Sequence, residues 1–134
     1  MKKAIEIVDF PTTDYKPLVE YENWRVAVLA YCENTTPKKI LTMQKHEETD
    51  EVFVLVRGKA TLITAGDREE PDEISFTELK PYKVYTVKKG FWHNHVLDKE
   101  GVVLIVENAD TSDDNSPVKK LSQKQIETIL GTLL

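Results

Sequence analysis

Over most of its length this chain alternates apolar and polar residues with period two, and β-branched residues recur throughout the alternating runs. That pattern constrains the fold more than any other feature, because residues two apart share one face of a strand and helices need a period of 3.6. The runs are AIEIVDF (4–10), WRVAVLAYCE (24–33), KILTMQKH (39–46), EVFVLVRG (51–58), KATLITAG (59–66), ISFTE (74–78), KVYTVKKG (83–90), HNHVLD (93–98) and GVVLIVEN (101–108). Turn-rich pieces such as AGDREEPDE and DKEG separate them. Many short strands at regular spacing predict an all-β sandwich or barrel.

The pattern changes after Asn108. NADTSDDNSP reads as a solvated loop, and LSQKQIETILGTLL follows with Ser122 as its N-cap. Leu121, Ile126, Ile129, Leu130 and Leu133 fall on one helical face. The expected organisation is one domain over residues 1–134, with a β core at about 24–108 and a helix at about 122–133 that packs on the barrel or on a partner subunit.

Composition excludes several classes. With 40% hydrophobic and 31% charged residues the chain fits neither a disordered segment nor a membrane protein. No apolar run approaches the roughly 20 residues of a bilayer span, and acidic residues interrupt the short apolar stretch after Lys2 and Lys3 where a signal peptide needs continuity. The expected location is the cytoplasm. A formal charge of −5 argues against nucleic acid, and Val118-Lys119-Lys120 and Lys88-Lys89 are too small to replace phosphate counterions. Cys32, the single cysteine, reads as a buried structural thiol.

Chemistry concentrates in QKHEETDEVFVLVRG, residues 44–58. Strand alternation puts Gln44 and His46 on one face, Glu51 on the face of Phe53 and Leu55, and His93 and His95 together on a later strand. All three histidines therefore fall near strand ends, beside acidic or amide groups. Taken singly, His46 reads equally well as a strand-end histidine bonded to Glu47 or Glu48.

The joint spacing resembles the cupin superfamily, small jelly-roll barrels that usually hold one divalent metal. His46 stands at the second histidine of that family's first motif, Glu51 follows after four residues, and VFVLVR supplies the six before Gly58. KKGFWHNH resembles the second motif, with Gly90, two residues, then His93. The resemblance covers about Ile40 to Asn108. It departs from the pattern at Gln44 (usually His), Lys88 (usually Pro), Leu97 (usually Asn) and Lys38 (usually Gly).

The resemblance implies a cupin-type jelly-roll β-barrel with a short C-terminal α-helix, and a metal held by Gln44, His46, Glu51 and His93. Glu47, Glu48 and Asp50 are alternative donors, but only Glu51 is in register with Gly58. Imidazole, carboxylate and amide together suit Fe, Mn, Zn, Ni or Co; without Gln44 the set is two histidines and one carboxylate. Gln44 is alternatively a hydrogen-bonding neighbour of the ligands.

The expected function is a metal-dependent enzyme, of lyase, isomerase or dioxygenase type, on a small polar or anionic metabolite, with His95 as the catalytic proton-transfer group. The alternative is a non-catalytic module that binds or senses a sugar or acid. The expected partners are that small molecule and a second copy of the chain, through the AIEIVDF strand and the helical face, with no nucleic acid and no membrane.

Overall fold

The structure is a computed structural model and describes residues 3–134. Among the described residues, ten strands and one α-helix follow in the order β1 (Asp14–Tyr21), β2 (Trp24–Ala30), β3 (Thr42–Gln44), β4 (Glu51–Arg57), β5 (Ala60–Thr64), β6 (Ser75–Glu78), β7 (Tyr85–Val87), β8 (His93–Leu97), β9 (Val102–Asn108), β10 (Val118–Lys120) and α1 (Gln123–Leu133). They build two antiparallel five-stranded sheets, ordered β1-β2-β9-β4-β7 and β10-β3-β8-β5-β6.

The sheets face each other across a core that alternation selects. Ala27 and Leu29 of β2, Phe53 and Leu55 of β4 and Val103 and Ile105 of β9 meet Ala60 and Leu62 of β5 and Leu97 of β8. A second apolar layer lies on the far side of the β3-β8-β5 sheet, where Met43, Ile63 and Trp92 pack with Ile40, Leu121 and Ile129. Helix α1 forms this lid: Ser122 caps it by accepting the Gln125 backbone N–H, and the Gln125 side chain returns a bond to the Ser122 N–H.

Gly58 joins β4 to β5 at φ 69°, in the left-handed region. A Cβ there would stand 2.5 Å from the Glu100 carbonyl carbon, so the turn needs glycine for space as well as conformation. The same turn docks on the β8–β9 turn through Lys59 N–H to Asp98 Oδ1 at 3.0 Å.

Three expectations require correction, and one strand was not anticipated. Residues 4–10 form no strand, and Ile5 and Ile7 are 73% and 86% exposed. Alternation supplies only a face; a strand also needs a partner edge, and pairing begins at Asp14. Conversely, β1 was not among the expected strands, since Pro17 and its charged residues break the apolar alternation, yet an edge strand tolerates both. Helix α1 takes the first of its two expected packings, on its own barrel with Ile129 fully buried, so its apolar face is not the expected surface for a second copy. Cys32 lies beyond β2 and is half-buried; burial pushes its thiol pKa up.

Candidate metal centre

Three strands of two sheets deliver the polar cluster. Glu51 opens β4, His93 opens β8 opposite Gln44 of β3, and His46 sits two residues past β3. The chain beyond β3 keeps direction although it leaves the sheet, because Lys45 N–H bonds Pro117 O, Glu47 N–H bonds Asn115 O, and His46 O accepts Gly90 N–H at 2.7 Å. His46, Glu51 and His93 thus turn inward together, each under 9% exposed.

Their donor atoms all lie within 4.8 Å of one another. His46 Nε2 is 3.1 Å and His93 Nε2 2.9 Å from the same Glu51 oxygen, Oε1. Adjacent donors on one ion with bonds of about 2.0–2.2 Å stand about 3 Å apart, so this spacing suits a shared cation.

The hydrogen-bond network assigns the tautomers. His93 Nδ1 faces the Phe91 carbonyl at 3.0 Å, which only accepts, so Nδ1 carries the proton. The Asn115 amide is oriented by Nδ2–H to Asp110 O and by Oδ1 accepting Ser112 N–H. Asn115 Oδ1 also takes the Ser116 hydroxyl proton, so Ser116 Oγ accepts from His46 Nδ1 at 2.7 Å. With Nδ1 protonated on both rings, each Nε2 faces the Glu51 carboxylate oxygen: a proton on Nε2 bonds that oxygen in the metal-free pocket, and without that proton the lone pair is available to a metal. Donor atoms so placed could share a cation, and the residues present fit a divalent metal.

Burial alone would raise the Glu51 pKa, but hydrogen bonds from His46 and His93 together outweigh it and hold the carboxyl below the ordinary carboxylate range. Burial would lower His93, and the Glu51 carboxylate reverses that and raises it.

The cluster opens on a cavity of about 410 Å³. Gln44 lines it, and its Nε2 donates to Ser116 O at 3.1 Å. His95 lines it from β8; burial pushes its pKa down, and its Nδ1 is buried without a hydrogen-bond partner among the described residues. Of the alternative carboxylates, Asp50 pairs instead with Lys88 Nζ at 2.5 Å and with Lys89 N–H at 2.9 Å, while Glu47 and Glu48 are exposed.

One constellation was not anticipated. Glu107 of β9 is 5% exposed, and its Oε1 stands 3.9 Å from His46 Nε2. Its Oε2 accepts Arg25 Nε at 3.1 Å, Arg25 Nη2 at 2.9 Å and the Tyr15 hydroxyl at 2.7 Å. Burial and the nearby Glu51 charge raise the Glu107 pKa against these bonds, while burial and Glu107 raise that of Tyr15. The signal was present: Val103, Ile105 and Glu107 are successive inward residues, so a carboxylate ends an otherwise apolar face.

No family model matches the sequence, and no curated protein is significantly similar to it. Solved structures are similar in fold. A cupin-2 domain containing protein from Shewanella frigidimarina aligns with TM-score 0.51 and 18% identity over 74% of this chain and 84% of that one. KdgF from Halomonas sp. aligns with TM-score 0.51 and 12% identity over 75% and 81%. The QdtA 3,4-ketoisomerase from Thermoanaerobacterium thermosaccharolyticum, solved in complex with TDP, aligns with TM-score 0.55 and 17% identity over 82% and 75%. With its two antiparallel sheets and a short C-terminal helix, the chain has the cupin jelly-roll fold.

Proposed function

We propose that the cavity is a divalent-metal site and that the chain is a metal-dependent enzyme on a small polar metabolite. The observation that carries this reading is the convergence of two imidazole Nε2 atoms on one buried carboxylate oxygen. His46, Glu51 and His93 would hold the ion, and Gln44 lines the same cavity as a further neutral donor. A divalent ion there supplies Lewis acidity toward a substrate oxygen.

The remaining residues bind and orient. Thr42, Gln44 and Asn94 present neutral hydrogen-bonding groups to the cavity, and His95 adds an unpartnered ring nitrogen. That nitrogen is a candidate contact for the bound molecule, since a buried polar atom without a partner is costly unless a ligand engages it. Arg25 lines the cavity but donates to Glu107, Ala109 O and Thr111 O, so its charge is already matched. The substrate is accordingly polar, with any anionic group answered by the ion. QdtA, a ketoisomerase of the same fold, supports isomerase chemistry on a carbonyl compound as the first to try.

The test is elemental analysis of protein purified without a metal-affinity tag, followed by turnover on hydroxy acids, keto sugars and ureides. Near-stoichiometric metal with turnover is expected. Metal with no turnover, together with saturable binding of one of these compounds, would instead establish a binding module.

A further inference from the structure

One oxygen of the Glu107 carboxylate is fully occupied and the other is free. Oε2 accepts three hydrogen bonds, from Arg25 Nε, Arg25 Nη2 and the Tyr15 hydroxyl. Oε1 has no hydrogen-bond partner among the described residues, although the side chain is only 3% exposed. Glu107 lines the cavity, and Oε1 stands 3.9 Å from His46 Nε2, beside the metal donors. It lies outside the group of donor atoms that are all within 4.8 Å of one another, so it is placed to meet what the cavity holds rather than the ion. A buried acceptor without a donor is costly, and a molecule that displaces solvent from Oε1 loses affinity unless it brings that donor itself.

The rest of the wall has the same bias. Arg25 is the one Lys or Arg side chain among the lining residues, and its donors go to Glu107, Ala109 O and Thr111 O. Gln44 Nε2 and Asn94 Nδ2 are turned to the Ser116 and Thr42 carbonyls, which leaves the Gln44 oxygen free to accept. Exposed Asp113 adds a further carboxylate to the lining. A divalent ion beside the Glu51 carboxylate leaves one positive charge, enough for a single carboxylate but not for a phosphate dianion or a second acid group.

We propose, resting on the reading of this cavity as a substrate site, that Glu107 Oε1 is its specificity-determining contact. The molecule it selects is a polyhydroxyl carbonyl compound of the free-sugar class, which donates a hydroxyl to Glu107 and carries no phosphate.

Glu107→Gln is close to isosteric and reverses the contact. Arg25 can only donate, so the amide oxygen takes the Oε2 position and the NH2 group faces the cavity. Calorimetric titration with D-fructose and D-fructose 6-phosphate, on zinc-loaded and on chelator-stripped protein, reads the result. The parent is expected to bind fructose at least about tenfold more tightly than its phosphate, and the folded variant to lose that preference by about tenfold or more, as a charged acceptor gives way to a donor. Should the variant fail to fold, the parent's ratio decides. A parent that takes up no zinc yet prefers fructose refutes the metal reading and upholds the specificity. A parent that binds the phosphate as tightly as fructose, a parent that binds neither, or a folded variant with the parent's ratio overturns the proposal.

Discussion

Replacing Arg25 by Met probes the buried charge system behind the cavity. Met keeps the apolar stem but removes both bonds to Glu107 Oε2, at 3.1 and 2.9 Å, together with the donors to Ala109 O and Thr111 O. The Glu107 side chain is 3% exposed and retains only Tyr15 at 2.7 Å. Breaking a buried pair from one side costs about 3–5 kcal/mol, because the remaining charge is stranded. The cost here falls near 3 kcal/mol at neutral pH, since Glu107 escapes in part by taking a proton. For a chain of this size that corresponds to about 9–15 °C in Tm. In Arg25→Met/Glu107→Leu no charge is stranded, and the loss shrinks to about 1–2 kcal/mol. The sign with pH follows from Glu107: its folded pKa is already raised, and losing Arg25 raises it further. The folded variant therefore holds a proton that the unfolded chain gives up, and its deficit relative to the parent narrows as pH falls from 8 to 5. Urea unfolding of the three proteins at both pH values measures all of this. A single variant that loses under about 1 kcal/mol, or a double variant no better than the single, refutes the reasoning.

Ser116→Ala removes the acceptor that fixes the His46 tautomer, so divalent-metal affinity is expected to fall by about 10- to 100-fold with the fold intact, read by calorimetric titration. Gly58→Ala sets a Cβ against Glu100 backbone at a positive φ and is expected to cost more than about 1 kcal/mol in urea unfolding. Metal-free protein should be most stable between about pH 4.5 and 6.5, measured by Tm against pH in chelator. Glu51, lowered in the fold, contributes stability above its ordinary pKa that is lost as pH falls; His93, raised, contributes below its ordinary pKa and loses that as pH rises through the folded value.

The barrel's central strands were legible because Phe53, Leu55, Val103 and Ile105 each obey alternation against a single core. The helix was legible from Ser122 and Gln125, whose capping box needs only local spacing. The edges were not. β1 pairs on one side only, so Pro17 and Lys16 are tolerated where a central strand would reject them, and residues 4–10 alternate without any edge to join. For the site, inward alternation and motif spacing marked His46, Glu51 and His93, which the fold gathers. Glu107 showed locally only as the carboxylate that ends the inward face of β9, while Tyr15, Arg25 and Ser116 depend on contacts between residues 70 to 92 positions apart, which no local pattern records.

Zinc or manganese titration of the chelator-stripped parent against His46→Ala/His93→Ala tests the central claim most directly. The account predicts one tightly bound ion per chain in the parent and none in the double variant, whose circular dichroism stays native because apolar burial holds the barrel. Undiminished binding in that variant, or a parent that takes up no divalent ion, would contradict it.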